Sequence, residues 1–339
     1  MENEEIPPPF KLLNMICATW TTQLLAAGAE LKIADALKDG ALSAGEVAER
    51  TKTDPAIMYR MLRAMGCLGV LRELESRRFE LTELGQLLRS DVPGSMRALA
   101  MMLGQPWHNR VWEVLADCAR TGVAFGAKRA FGTDLWQYFD ANKQYFDNFN
   151  EAMLGASENM HVTAVEAYDF SGIKRLVDVG GGYGRLLGMI LQKYPKMEGI
   201  LFDRPPLAEG ARKELTSLGI AKRCDFVGGD FLKSVPEGGD AYIMSHILHD
   251  WPDADALAIL TNCRRAVAKG GKVIVLDAVI RSDSGTDWGK LMDLEMMAMF
   301  GGRDRTREEL ERMFEAAGFR LDRIIATKST TSIVEGTAV

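Results

Sequence analysis

The run Ser245-His-Ile-Leu-His-Asp-Trp-Pro252 sets two imidazoles, His246 and His249, just beyond a short apolar segment, Ala241 to Ser245. An imidazole with an ordinary pKa of about 6.5 suits a general base near neutral pH; a core imidazole satisfied by backbone is the alternative for either. Two carboxylates stand similarly, each at the end of an apolar run: Asp203, and Asp230 within Gly228-Gly-Asp-Phe231. A carboxylate there can accept both hydroxyls of a ribose, or it can be a solvated strand end. Asp230 and the Phe231 ring suit the amino group and the face of an adenine. Upstream, Leu176-Val-Asp-Val-Gly-Gly-Gly-Tyr-Gly184 runs a buried-strand pattern into a glycine-rich turn. Its Gly180-x-Gly182-x-Gly184 spacing departs from the dinucleotide form G-x-G-x-x-G. No Lys-Ser/Thr pair follows the glycines and no arginine cluster awaits a pyrophosphate, so the nucleoside cofactor need carry no phosphate.

These residues need a sheet to bring them together. Alternating strands and helices begin after Phe170-Ser-Gly172, with strands expected at Arg175 to Val179, Gly199 to Asp203, Cys224 to Gly228, Ala241 to Ser245 and Lys272 to Ala278. Helices fall between them, at 184–194, 206–217 and 253–268, and this alternation predicts a doubly wound parallel α/β sheet with right-handed crossovers. Thr306-Arg-Glu-Glu309 caps a helix to Ala317, and Leu321 to Thr327 with Thr331 to Glu335 reads as a closing antiparallel pair. That makes seven strands. The ligands of such a sheet lie beyond the carboxyl ends of its strands, where all the residues above are placed.

The first part reads differently. Leu12 to about Leu37 is a helical stretch apolar on several faces, as expected of a helix buried against a partner. Ser43-Ala-Gly-Glu46 is a capping box, Asp54-Pro55 opens a second helix to about Met65, and Val70 to Leu74 pairs with Arg78 to Leu81 as a hairpin. Helix, helix and hairpin form a winged-helix pattern. Asp91 to Asp169 is a further helical stretch, dense in aromatics. Three regions are expected: a helical and winged-helix domain over 1–100, a helical linker contributing to a substrate pocket over 101–170, and a catalytic domain over 171–339.

Composition narrows the classes. With 47% apolar and 26% charged residues the chain of 339 is an ordinary globular protein. A net charge of −6 argues against a nucleic-acid or acidic-membrane binder, and the winged-helix arginines, Arg60, Arg63, Arg72, Arg77 and Arg78, are offset by nearby acids. No apolar run reaches the roughly 18 residues of a membrane span. Glu2, Glu4 and Glu5 before Pro7 to Pro9 lack the pattern of a signal peptide and read as a frayed tail. Five scattered cysteines, with no CxxC pair and no histidine at ligand spacing beside them, fit a reduced cytoplasmic chain. No metal is expected.

The motifs together resemble those of the S-adenosylmethionine-dependent O-methyltransferases. Asp178-Val-Gly-Gly-Gly182, Phe202-Asp203-x-Pro205, Gly229-Asp-Phe231, Ile247-Leu-His-Asp-Trp251 and Gly301-Gly-x-Asp-Arg-Thr306 occur in that family's order and spacing. More narrowly, the chain is similar over nearly its whole length to the plant caffeate and acetylserotonin O-methyltransferases and their bacterial relatives. The resemblance implies a Rossmann-like seven-stranded methyltransferase sheet with an N-terminal winged-helix dimerisation domain, hence a homodimer through the N-terminal helices. It implies His249 as the base that deprotonates a phenol or similar hydroxyl, with Asp277 and Asp304 flanking it where plant members commonly carry Glu. His246, the rival base, would sit nearer the cofactor. S-adenosylmethionine would lie against Asp178, Gly180, Gly182, Asp203, Asp230, Phe231 and Ser245, leaving as S-adenosylhomocysteine (SAH). Ser245 stands where plant members have a Lys, and Arg204 where the family often has Leu. By position, Trp107, His108, Phe149, Met153, Met296, Met297 and Phe300 are candidates to wall a pocket for an aromatic or polyketide-like substrate.

Other readings compete. The runner-up is a family member that keeps the cofactor yet catalyses hydroxylation, decarboxylation or a pericyclic step, which the presence of His249 disfavours. A winged-helix regulator with a ligand-sensing domain is disfavoured by the acidic charge, and a nicotinamide oxidoreductase by the glycine spacing.

Overall fold

Residues 6–283 and 285–339 are described in the computed structural model. Two compact units emerge, Met1–Arg110 with Trp136–Ser157, and Val111–Leu135 with Glu158–Val339.

The first unit opens with α1 (Pro8–Ile16), α2 (Ala18–Glu30) and α3 (Ile33–Ala36). The stretch expected to be helical from Leu12 to Leu37 is thus broken twice. Cys17 turns out of the helix at φ −85°, ψ 3°, and Lys32 adopts the left-handed conformation at φ 55°. Of the expected frayed tail, Glu2, Glu4 and Glu5 lie outside the described residues; the segment from Pro8 is helical, since a proline at the first helical position has no N–H to leave unsatisfied. Then come β1 (Leu42–Ser43), α4 (Ala44–Thr51), α5 (Pro55–Cys67), β2 (Leu71–Leu74), β3 (Arg78–Leu81), α6 (Glu83–Gln86) and α7 (Arg97–Gly104). Ser43 and Glu46 form the expected capping box, and Asp54 accepts from the N–H groups of Ala56 and Ile57 ahead of α5. The strands pair in the order β1-β3-β2, completing a winged helix. Its core is Ile33, Leu37, Val47, Met58, Leu62, Met65, Leu71 and Phe79. The side chains of α1 and early α2 are apolar yet exposed, among them Phe10, Leu13, Met15, Ile16 and Trp20.

The expected helical stretch that follows forms α8 (Pro106–Glu113), α9 (Leu115–Thr121), α10 (Gly126–Phe131), α11 (Leu135–Ala141) and α12 (Lys143–Ala167), and is shared between the two units.

The rest of the second unit runs β4 (Arg175–Val179), α13 (Arg185–Lys193), β5 (Glu198–Asp203), α14 (Ala208–Ser217), β6 (Cys224–Gly228), β7 (Ala241–Ser245), α15 (Asp253–Ala266), β8 (Lys272–Asp277), β9 (Val279–Ile280), α16 (Gly289–Met299), β10 (Arg305–Thr306), α17 (Arg307–Ala317), β11 (Phe319–Ala326) and β12 (Ser332–Ala338). The seven-stranded sheet has the order β11-β12-β8-β7-β4-β5-β6. The five strands β8, β7, β4, β5 and β6 are parallel, while β12 and β11 join antiparallel. The inner strands β4, β5, β7 and β8 are mainly apolar because both faces are covered. Leu176, Ile243 and Ile274 pack into one core, and Val177, Tyr242, Met244, Val273 and Val275 into the other. The strand order reverses between β4 and β7, which is where a doubly wound sheet opens a crevice at its carboxyl edge.

A short parallel ladder, β9 with β10, pairs Arg305 with Val279. It lays the Gly301–Thr306 segment beside the exit of β8. No described helix is long and apolar enough to cross a membrane.

Candidate functional site

Three chain segments meet at the carboxyl edge of β7 and β8. The chain leaves β7 through His246 into a single 3-10 turn, Leu248–Asp250, which carries His249. Asp277 is the last residue of β8, and Asp304 directly precedes β10. The His249 ring is buried, with Nδ1 3.2 Å from Oδ1 of Asp304 and Nε2 3.7 Å from Oδ1 of Asp250. Asp277 and Asp304 are also buried.

Burial alone disfavours an imidazolium. Here the charge of Asp277, the hydrogen bond to Asp304 and the charge of Asp250 outweigh it and push His249 up to about 10. Burial pushes Asp277 up to about 6 against the pull of His249, and Asp250 up to about 7. His249 is therefore an imidazole of strongly raised proton affinity whose Nδ1 is engaged, leaving Nε2 as the nitrogen that can exchange a proton with something outside the cluster. His246 is its opposite. Burial and the neighbouring His249 drive its proton affinity well down. Its backbone takes the left-handed region at φ 55°, while its N–H donates to the carbonyl of Leu276 at 3.0 Å. A non-glycine residue held there costs roughly 1–3 kcal/mol, a strain that marks functional sites.

Two residues given no role by the sequence reading hold this turn in place. The Arg305 guanidinium, 3% exposed, donates Nη1 to the carbonyl of Leu248 and Nη2 to that of Trp251, both at 2.9 Å, and Nε to Asp253 at 3.0 Å. It thus clamps both ends of the turn bearing His249. Gly302 lies so close beneath that a Cβ would stand 2.0 Å from the His249 carbonyl oxygen, so only glycine fits. The signal available was Arg305 within the Gly-Gly-Arg-Asp-Arg-Thr motif, a cation beside a catalytic candidate.

Between β4 and β5 lies the glycine loop. Gly182 sits at φ 60°, and a Cβ there would meet nothing within 4 Å, whereas at Gly180 it would meet Ile247 at 2.5 Å and the Phe231 ring at 3.5 Å. Asp203 accepts the N–H of Gly182 at 2.8 Å and that of Arg204 at 2.6 Å, one bond to each oxygen, so lone pairs remain for a diol. Asp178 is buried beneath Gly181, and burial with the adjacent Asp203 pushes it up to about 7. Asp230 accepts from Leu232 N–H at 3.0 Å and pairs with Lys233 at 3.1 Å. Phe231 stands edge-on to Trp251 at 5.7 Å, and its carbonyl accepts from Asn262 at 2.9 Å. The open backbone at Gly182 and the two neighbouring carboxylates fit a nucleoside bearing a cation rather than a phosphate.

Ser245 has an unforeseen partner. His161 of α12 places Nε2 3.1 Å from its hydroxyl, and burial lowers His161 to about 4, so the ring is neutral. The separation of 84 residues left no sequence signal for this contact.

The residues expected to wall a substrate pocket fall in both units. In the first, Trp107 is buried, donates Nε1 to Gln105 at 2.6 Å and meets Phe139 edge-on at 5.1 Å. Phe149 lies 5.1 Å from the same Phe139 ring, so the structure brings these two around a shared aromatic core. His108 stands 5.6 Å from Trp107, and Met153 is more than a third exposed. In the second unit Met296 is buried on α16, Met297 lies beside it, and Phe300 ends that helix.

Comparison with known proteins places this geometry. Residues 112–320 match the sequence model of an O-methyltransferase domain, and residues 13–91 that of an O-methyltransferase dimerisation domain. A phenazine O-methyltransferase of Lysobacter antibioticus is 40% identical over 331 residues, 97% of this chain and 96% of that protein. An aclacinomycin 10-hydroxylase of Streptomyces purpurascens is 35% identical over 330 residues, 94% of this chain and 88% of its own. A methyltransferase of calicheamicin biosynthesis, solved in its SAH-bound form, superimposes with a TM-score of 0.87 at 33% identity, covering 99% of each chain.

The clamp generates a prediction. Arg305→Lys replaces a rigid fork by a point charge and strands at least one buried carbonyl, so denaturant melts should show a loss of about 1–3 kcal/mol. Amide exchange over residues 248–251 should accelerate by more than the global loss accounts for; exchange that only follows global stability would show that Arg305 does not hold the turn.

Proposed function

Since this chain belongs to the O-methyltransferase family, we propose that it methylates a hydroxyl, phenolic in character, on an aromatic or polyketide-like small molecule, with His249 as the general base. The observation that carries this is the buried His249–Asp304 pair at 3.2 Å, with Asp277 and Asp250 close by. S-adenosylmethionine, when bound, supplies the electrophilic methyl that the deprotonated oxygen accepts. Asp203 would receive its ribose, Asp230 and Phe231 its adenine, and the open backbone at Gly182, with Gly180 packed against Ile247 and Asp178 below, its methionine end with Ser245.

His249 removes the substrate proton at Nε2. A free phenol has a pKa of about 10, and His249 reaches about 10, so transfer between them is nearly balanced. An ordinary imidazole would face an uphill step of several pKa units. Asp277 and Asp304 stabilise the imidazolium that forms, and Asp304 holds the ring in the tautomer that presents Nε2. Met296 and Phe300, in the unit that carries His249, are assigned to the wall around the ring. The relationship to an aclacinomycin 10-hydroxylase means that kinship alone does not fix the reaction; the intact base and its carboxylates favour methyl transfer.

The family's dimerisation domain over residues 13–91 supports a homodimer, with the exposed apolar side chains of α1 and α2 as the contact. The five free thiols suit a reducing, cytoplasmic location.

Three outcomes are expected. His249→Ala should cut turnover on a phenolic substrate by roughly 10²–10⁴-fold, with S-adenosylmethionine affinity by calorimetry nearly unchanged. In the unaltered protein kcat/KM should climb with pH from neutrality toward about 10, as the His249 proton is lost. An unchanged rate in the variant removes His249 as the base. Light scattering at micromolar concentration should report twice the mass of one chain, 37.4 kDa; a monomer would contradict the proposed contact.

A further inference from the structure

His246, His249 and Asp277 converge although their spacing in the chain resembles no metal motif. One ligand atom from each lies within 4.8 Å of the others, and this is the one such group of three or more His, Cys, Asp or Glu among the described residues. Two of the donors are buried without a hydrogen-bond partner, Nε2 of His246 and Oδ1 of Asp277. The Asp277 side chain is 95% buried by residue exposure of 5% and aimed into the cluster. A buried polar atom left unpaired loses the hydrogen bonds that water would give it, so two such atoms on residues of one cluster are an observation needing a ligand.

We propose that this trio is a binding site for a divalent transition-metal ion, zinc(II) by its donor set, and that occupancy blocks the base. The assigned donors are Nε2 of His246, Nε2 of His249 and Oδ1 of Asp277. Two imidazoles and one carboxylate form a set that suits zinc and its first-row neighbours. Asp304, holding Nδ1 of His249, is placed as the outer carboxylate that orients a metal-bound imidazole toward its ion. Bonds of about 2.0–2.2 Å require the donors to draw in by roughly 1 Å, within reach of side-chain rotation. The carboxyl groups of Asp250, Asp277 and Asp304 surround the imidazole proton of His249, and Arg305 is engaged by backbone carbonyls and Asp253. Metal binding replaces that proton, which goes to solvent, and fills the lone pair of Nε2 that deprotonates the substrate. Binding stands on the cluster alone; the inhibitory consequence rests on His249 being the base.

The test uses the full chain, stripped of metal by chelation and dialysis. Cobalt(II) titration should raise visible absorption bands that saturate at one equivalent and are displaced by zinc(II). His246→Asn and Asp277→Asn should each weaken zinc binding at least tenfold by calorimetry, and Asp304→Asn by roughly 10–100-fold. Asparagine tolerates the left-handed backbone at position 246, so that variant carries the test if Asp277→Asn does not fold. One equivalent of zinc should lower methyl transfer more than tenfold, with recovery on adding chelator. No cobalt spectrum, or binding indifferent to His246→Asn, would overturn the site. Binding without inhibition would overturn the regulatory half and, separately, the assignment of His249 as base.

Discussion

A buried imidazole ringed by carboxylates is the arrangement to which the rest of this protein is fitted. Burying an ionised group costs several kcal/mol even after relaxation, and Asp277, Asp304 and His249 are all buried within one cluster. Their coexistence depends on the proton of His249, which the carboxylates hold more firmly than water would. Each of His249, Asp250 and Asp277 binds its proton more tightly in the folded chain than in the unfolded one. The cluster therefore loses stability as pH rises, for Asp250 and Asp277 between 3.8 and their folded values of about 7 and 6, and for His249 from 6.5 to about 10. The same preference that weakens the fold at high pH gives His249 a proton affinity close to that of a free phenol.

Holding three segments together requires the sheet. β7 delivers the histidines, β8 delivers Asp277, and the β9–β10 ladder returns Asp304 beside them. Arg305 and Gly302 act at closer range, one by donating to the ends of the 3-10 turn and the other by having no side chain. On the other side of the switch point, β4 and β5 set the glycine loop and Asp203. His249 and the glycine loop thus belong to one carboxyl edge.

Much of this was legible in the sequence because the relevant signals are local. Strands β5, β6 and β7 end where the apolar runs reach Asp203, Gly228 and Ser245, and the capping boxes at Ser43 and Thr306 open helices as their spacing dictates. The N-terminal helical stretch was read as continuous because nothing about Cys17 or Lys32 marks a break; Lys32 takes a left-handed backbone that only tertiary packing can select. The partners of the site residues were harder still. His161 reaches Ser245 across 84 positions, and Arg305 reaches Leu248 across 57, so no periodicity records either contact. Proton affinity was equally invisible. His246 and His249 are the same residue type three positions apart, and only their neighbours drive one down and the other up.

The direct measurement is a pH titration of the imidazole nitrogens by NMR in protein labelled at histidine, with His249 assigned by its loss in the alanine variant. A ring held by Asp277, Asp304 and Asp250 will keep the imidazolium signature through neutral pH and lose it only toward about 10. Titration of His249 at or below 6.5, the ordinary value for a free imidazole, would contradict the account.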